Sequence, residues 1–526
     1  MSEQFDAIVV GSGFGGSIVA CRLAQKGLKV LVLERGRRWT PETYPRKPGD
    51  PWFYNVRRPE TRNGWLDLRF FTRIMVAQAA GVGGGSLTYS SVHLEAHPSC
   101  FAHGWPAEVT GAELKPYYDL VSNVLNLQTL PDGQMTPRSE LAREAASKLG
   151  HPDRFRKAPL AISFSPEWHY GLDDPFDARH SRSFVNGHGQ RQGTCIHLGN
   201  CDIGCEVRAK NTLDVTYLAL AERQGCQVRP LHVVRRIEPH DAGYRVAFDR
   251  IEGEALVGGE ATAARVFVAA GSLGSTELLL RARDDHETLP KLSRALGRGW
   301  SPNANVLSLA AYKDADRVRQ SVGPTITTTI DFMDGHASGE RFVVEDDGFP
   351  NMLVNALRAA RHDQPDEAGA RAFVDGFQKA LDDTDAASGL MLWLGAGMDA
   401  ADGQLRLDRK WLPPFRHELK LQWNPERSAG VIDAILAEHR DMSEATGGRP
   451  GPDLGWRVFR NLLTLHPLGG CRMSASADTG VVDHLGRVFG YPNLYVVDGA
   501  IVPVAIGRNP AHTIAALAER IAAHVV

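Results

Sequence analysis

An α/β fold in two interleaved parts is what this sequence predicts: a wound, parallel sheet assembled from separated stretches, and an inserted second domain with a mainly antiparallel sheet and helices. Three observations carry the prediction. Residues 5–10 (FDAIVV) form a buried-strand pattern that runs straight into Gly11-Ser-Gly13-Phe14-Gly15-Gly16. An apolar helical pattern over 18–25, a stop at Gly27, a second apolar run over 29–33 and an acid at Glu34 follow. Residues 301–454, by contrast, alternate strand-like pieces with acidic loops. A glycine turn set between a strand and a helix, with an acid ending the next strand, is the Rossmann-like dinucleotide arrangement.

Each element has a physical reason. Gly11 permits the tight turn, Gly13 lets a pyrophosphate approach the backbone, and Gly16 lets the helix pack on the sheet. Glu34, followed by Arg35, ends the second strand, where a ribose hydroxyl needs an acceptor. Gly81, Gly83, Gly84 and Gly85, before Ser86, are more glycine than a hairpin needs. They suit a backbone pressed against a flat ligand, where a Cβ would collide, or else a hinge. A helix is expected over 213–222 and a strand-rich stretch over 227–248. The strand 265–269 leads through Ala270 and Gly271 into a helix over 275–283. That second strand–glycine–helix unit either borders the same ligand or is structural. In the inserted part, strands are expected at 324–332, 390–398 and 404–407, with a helix near 432–438. The Pro- and Arg-rich stretch 44–73 reads as an excursion from the first domain. Toward the C-terminus, His466-Pro467-Leu468-Gly469-Gly470-Cys471 places one histidine before a rigid proline and two glycines. A strand over 493–497 ends in Asp498-Gly499, and Asn509-Pro510 opens a helix over 511–525 that includes His512 and Thr513. Asn509 reads as its N-cap and Pro510 as its first residue. His512 is expected to pack or to face solvent.

Composition bounds the function. The 526 residues are 43% hydrophobic and 23% charged, and the net charge of −3 gives no reason to expect a nucleic-acid partner. No apolar run is long enough to span a bilayer. No basic-then-apolar leader is visible at the N-terminus, so a cytoplasmic location is expected. Seven cysteines, an odd number, point to reduced thiols. Cys195, Cys201 and Cys205 cluster without metal-site spacing, so no metal is expected and a local disulfide is the minority reading.

Several collinear segments resemble the glucose–methanol–choline (GMC) oxidoreductases, and within them the bacterial cholesterol oxidases that hold FAD non-covalently. They are the glycine turn at 9–34, AGVGGGSL at 80–87, AKNTLDVTYLA at 209–219 and VAAGSLGSTELLLRARD at 268–284. GRGWSPNANV at 297–306, HPLGGC at 466–471, GRVFGYPNLYVVDGAIVP at 486–503 and GRNPAHTIAALAER at 507–520 complete the set. The resemblance implies an FAD-binding domain made of 1–40, 74–125, 205–305 and 455–526, and a substrate domain made of 41–73, 126–204 and 306–454. It implies His466 as the active-site histidine and Asn509 as its polar partner on the flavin's reactive face. Gly84, Gly85 and Ser86 would lie beside the flavin ring, Asp498 and Gly499 near the ribityl chain, and Val233 and Val234 at the adenine. Glu345, in FVVEDDGFP, stands where the sterol oxidases place a carboxylate base, with Asp346 and Asp347 as rivals. A run of three acids is otherwise a solvated loop. Thr88 to His93 and residues 310–450 depart from the family pattern, which bears on the substrate. No histidine lies within the flavin loop itself, and His93 comes several residues later, so FAD is expected to be non-covalent.

The expected activity is oxidation of an alcohol CH–OH group by hydride transfer to flavin N5, with O2 or another electron acceptor reoxidising the flavin. His466 or Glu345 takes the hydroxyl proton. The alcohol is expected to be bulky and hydrophobic: sterol-like, long-chain or aromatic. A hydroxynitrile-lyase-like enzyme without net redox chemistry is the alternative.

Overall fold

The computed structural model describes residues 3–47, 49–335, 337–351, 389–409, 417–451, 456 and 462–525. Its central sheet holds five parallel strands in the spatial order Gln227–Arg229, Val30–Leu33, Glu3–Val10, Ala255–Val268 and Leu494–Val496. The 14-residue strand Ala255–Val268 does double duty. Its C-terminal half pairs in parallel with Glu3–Val10 and Leu494–Val496, while its N-terminal half closes an antiparallel meander with Gly243–Glu252 and His232–His240. Ile8, Val9, Val32 and Phe267 are fully buried, as a sheet covered on both faces requires.

The first helix, Phe14–Gln25, starts four residues earlier than its apolar pattern, directly after Gly13 and with no side-chain cap. Its opening N–H groups are therefore left free at the glycine turn. Against it lies the C-terminal helix Ala511–Val525, joined to it by the Arg22–Glu519 ion pair at 2.6 Å. The helix expected at 213–222 forms only over Tyr217–Arg223. Leu213 N–H donates instead to Ser86 Oγ at 3.0 Å, which ties the preceding turn to the second glycine run.

The second large sheet is wholly antiparallel: Arg449–Pro450, Val306–Ala311, Leu390–Gly397, Phe342–Asp347, Thr328–Asp331 and Phe155–Lys157. Helices Pro137–Lys148 and Ala429–Ala445 pack on it. The acidic run 345–347 is no solvated loop, because all three carboxyl groups are buried in this strand. Period-two alternation sends Asp346 to the face opposite Glu345. Asp346 accepts from the backbone N–H and hydroxyl groups of both Thr327 and Thr328. The stretch 44–73 contributes Leu66–Phe71 to a small sheet with Ile74–Ala79 and Leu462–Thr464. All seven cysteines are free thiols; Cys195 and Cys201 share a small apolar cluster that Cys205 packs against. No helix among the described residues is long and apolar enough to cross a membrane.

Candidate active site

One cavity of about 1440 Å³ runs from the first glycine turn to the start of the C-terminal helix. It exceeds the ~300–1,000 Å³ of an ordinary small-molecule pocket, as an extended dinucleotide requires. At the glycine turn, Gly11 has φ +99°, and a Cβ there would meet Ala269 O at 2.4 Å. A Cβ at Gly16 would strike Gly11 O at 2.1 Å, so this glycine serves packing. Gly13 and Gly85 differ: a Cβ on either meets no protein atom within 4 Å, although both line the cavity. Protein packing does not demand glycine at these two positions, whereas close approach of a bound group does. Gly84, at φ +51°, packs directly against Gly13, which joins the two glycine runs.

Glu34 lies at the same end. Its carboxylate accepts from Ser12 N–H (3.1 Å), Ser12 hydroxyl (2.6 Å) and Gly36 N–H (2.9 Å). Four lone-pair sites and three bonds leave acceptor capacity for a ribose hydroxyl. Arg35 is paired with Asp67 at 2.7 Å and lies over the Tyr54 ring. Val233 and Val234 line the cavity from the meander. The second strand–glycine–helix unit borders the same cavity, through Ala270, Gly271, Ser272 and Gly274. Asp498 fastens that unit by accepting from Gly271 N–H (2.8 Å), Ser275 hydroxyl and Ala500 N–H (2.8 Å). Gly499 lines the cavity beside it.

Four residues expected at the cofactor stand behind the cavity wall. Gly81 packs on Trp39 and Leu87, Gly16 packs as above, and Ser86 hydroxyl donates to Gly83 O at 2.7 Å. Thr513 hydroxyl sits 2.9 Å from Tyr118 hydroxyl. Ser12 is the residue sequence reasoning missed: its hydroxyl also accepts from Gly83 N–H at 3.1 Å, linking Glu34 to the second glycine run. A serine in a variable position of a glycine motif gives no signal of this.

At the opposite end the structure gathers His466, Asn509 and Glu345, and here the polar atoms are left open. Asn509 does not cap its helix. Pro510 O accepts the first turn's bond from Ile514 N–H at 2.9 Å, and the Asn509 amide instead donates to Glu345 Oε2 at 3.1 Å. Asn509 Oδ1, Glu345 Oε1 and His466 Nδ1 are buried without a partner. Burial pushes Glu345 up to about 8 and lowers His466 to about 4. Pro510, Ala511 and Ile514 line the cavity, so the partial positive charge of the helix N-terminus faces it. Val92, Ile326 and Leu394 add apolar wall, and Thr88, Tyr89 and Ser90 add hydroxyls. His512 is buried beside this end, its ring nitrogens 3.1 Å from His93 O and Tyr118 O, so of its two expected settings packing is the one found.

Comparison with known proteins bears on the C-terminal part and on the glycine turn. Residues 361–518 match the model described as GMC oxidoreductase, and 9–55 match that of an NAD(P)-binding Rossmann-like domain. Alongside this, a cholesterol oxidase of Acinetobacter baumannii is 29% identical over 99% of this chain and 94% of its own. The C-terminal part of this chain thus carries the GMC oxidoreductase domain. Another relative, a long-chain-alcohol oxidase of Arabidopsis thaliana, is 24% identical over 99% of this chain and 67% of its own. Among solved structures, pyridoxine 4-oxidase shares the fold at a TM-score of 0.64 and 18% identity, covering 99% of each chain. With that domain and these relatives the chain is an FAD-dependent alcohol oxidoreductase. The open Cβ positions at Gly13 and Gly85 fit that cofactor.

Proposed function

We propose that this enzyme oxidises a bulky, largely apolar alcohol held between His466 and Asn509, with FAD bound non-covalently. The observation that carries the reading is the unpartnered buried atoms of His466 and Asn509, which line one end of a cavity whose other end suits a nucleotide, with the equally unpartnered Glu345 Oε1 behind them on the Asn509 amide. FAD, when bound, supplies the hydride acceptor. The substrate hydroxyl lies between the Asn509 side chain and the His466 ring and turns its single proton to the unpartnered His466 nitrogen. Neutral above about pH 4, His466 is free to take the hydroxyl proton at neutral pH, and Glu345 becomes a second acceptor once ionised near 8. Such positioned proton transfer contributes about 10²–10⁴-fold.

Val92, Ile326 and Leu394 support an apolar substrate body, as does similarity to proteins named for cholesterol and for long-chain alcohols. Non-covalent attachment is supported by His93, whose Nε2 is 3.2 Å from Tyr89 hydroxyl and whose ring packs between Phe14 and His512. The same reading divides the chain at the boundaries given above, with the antiparallel sheet over the reactive end.

Anaerobic titration of the yellow protein with sterols, long-chain alcohols and benzylic alcohols tests this. Bleaching by one class is the expected result, and readmitted air then separates an oxidase from a dehydrogenase. Turnover of a hydroxynitrile without bleaching would overturn the redox reading. Acid precipitation should leave the flavin in solution; flavin in the pellet would overturn non-covalent binding.

A further inference from the structure

The PNAN portion of 297–306 touches neither hydride nor proton in the reaction above, yet both reactive loops hang from it. Asn303 and Ala304 hold positive φ angles, 57° and 39°, in a turn whose asparagines are buried. Asp399 locks the turn, accepting from Ser301 hydroxyl (2.8 Å), Ala304 N–H (2.8 Å) and Ala401 N–H (2.7 Å).

Two arms leave it. Asn303 Oδ1 accepts from Ile506 N–H (2.9 Å) and Gly507 N–H (2.8 Å), and its amide donates to Arg508 O (2.8 Å). All three backbone units just before Asn509 are thus held by one side chain. Asn305 Oδ1 lies 2.9 Å from Thr464 hydroxyl and accepts from Leu465 N–H at 3.3 Å. Thr464 Oγ1 in turn accepts from His466 N–H at 3.0 Å. Beyond His466, Leu468 and Ser301 exchange a pair of backbone bonds, both 3.0 Å. His466 is therefore bracketed on both sides by the turn that grips the Asn509 loop.

We propose that Asn303 and Asn305 are positioning residues, setting Asn509 and His466 against each other from one rigid turn, with Thr464 relaying the second arm. The chemistry fits. A side-chain amide can both accept from and donate to a loop that has no strand partner, and asparagine tolerates the left-handed backbone at 303. A shared anchor makes the spacing of the two reactive groups independent of motion in either loop. The inference rests on the roles proposed for His466 and Asn509.

Single-turnover flavin reduction in the FAD-loaded enzyme, with a bleaching alcohol, tests it. Thr464→Val keeps shape and strand propensity but removes the relay. It should slow reduction on the order of 10–100-fold, the scale of an ångström-sized misplacement, while bound FAD and half-saturating alcohol stay within about twofold. Thr464→Ser, which keeps the hydroxyl, should restore the rate. Asn303→Asp keeps the acceptor for Ile506 and Gly507 but loses the bond to Arg508 O, and should slow reduction about tenfold. The deciding measurement is a pair of double-mutant cycles. The Thr464→Val loss should vanish in a His466→Gln background, and the Asn303→Asp loss in an Asn509→Ala background. Unchanged reduction in Thr464→Val and Asn303→Asp overturns the inference, as does the same loss persisting in both backgrounds. Full-rate reduction in His466→Gln and Asn509→Ala alone would instead overturn the roles on which it rests.

Discussion

The two ends of the cavity treat their polar groups in opposite ways. At the nucleotide end, Glu34 and Asp498 each accept three hydrogen bonds, and Asp67 is paired with Arg35 and Arg69. At the reactive end, His466, Asn509 and Glu345 each keep one buried atom without a partner. Unsatisfied buried groups cost about 1–3 kcal/mol apiece. A fold spends that much where a ligand completes the set. On the proposed function the first end holds and the second reacts, so substitutions at the two should separate affinity from rate.

The largest break in that comparison should come from His466→Gln. Flavin reduction, followed by anaerobic stopped flow, should fall about 10²–10⁴-fold with FAD still bound. Normal turnover would remove His466 from the chemistry. Gly13→Val should do the reverse. Because no protein atom meets a Cβ there, thermal unfolding of the apoprotein should be unchanged while FAD content falls at least about tenfold from the steric clash. Full flavin occupancy would contradict the phosphate-turn reading. Glu345→Gln sharpens the reactive end. As pH rises through about 8, Glu345 ionises and gains a proton-accepting form, so the parent's reduction rate should rise there. His466, already neutral above about 4, contributes no limb in that range. The Gln variant should be flat from about pH 5 to 9, and a surviving limb would assign it elsewhere. The smallest effect belongs to Ser12→Ala, which loses the bridge between Glu34 and Gly83. FAD affinity should weaken by about 0.5–1.5 kcal/mol with reduction of the bound flavin unchanged; a slower reduction step would mean the two ends are coupled.

Legibility in the sequence follows the same divide. The nucleotide end was readable because its physics is local. Strand, turn, helix and acid occupy 32 consecutive positions from Glu3 to Glu34, and Gly11, Gly15 and Gly16 each have a steric reason. At the reactive end the histidine and asparagine announced themselves by motif, but the contacts did not. Asn509 lies 164 residues from Glu345, and nothing in either neighbourhood says that its amide leaves the helix to meet a carboxylate. For the same reason the N-cap expectation failed: the residue type was right for a cap, and a tertiary partner took it. Glu345 could not be chosen over Asp346 and Asp347 from composition. The pleat turns Asp346 to the two threonines behind the sheet, Asp347 shares the face of Glu345, and it is Glu345 that the Asn509 amide meets. The helix expected from 213 starts late because Leu213 N–H bonds to Ser86, whereas the helices expected from 18 and 275 each begin four residues early at their glycine turns.

The Arg22–Glu519 pair carries a consequence for how the enzyme is made. The two residues are 497 positions apart, and the helices that bear them pack against each other. On a ribosome adding about 5–20 residues per second, the N-terminal helix waits roughly 25–100 s for its C-terminal partner. The glycine turn is therefore synthesised well before the helix that packs against the one following it. During that interval the apolar face that the later helix covers has to be kept from aggregating.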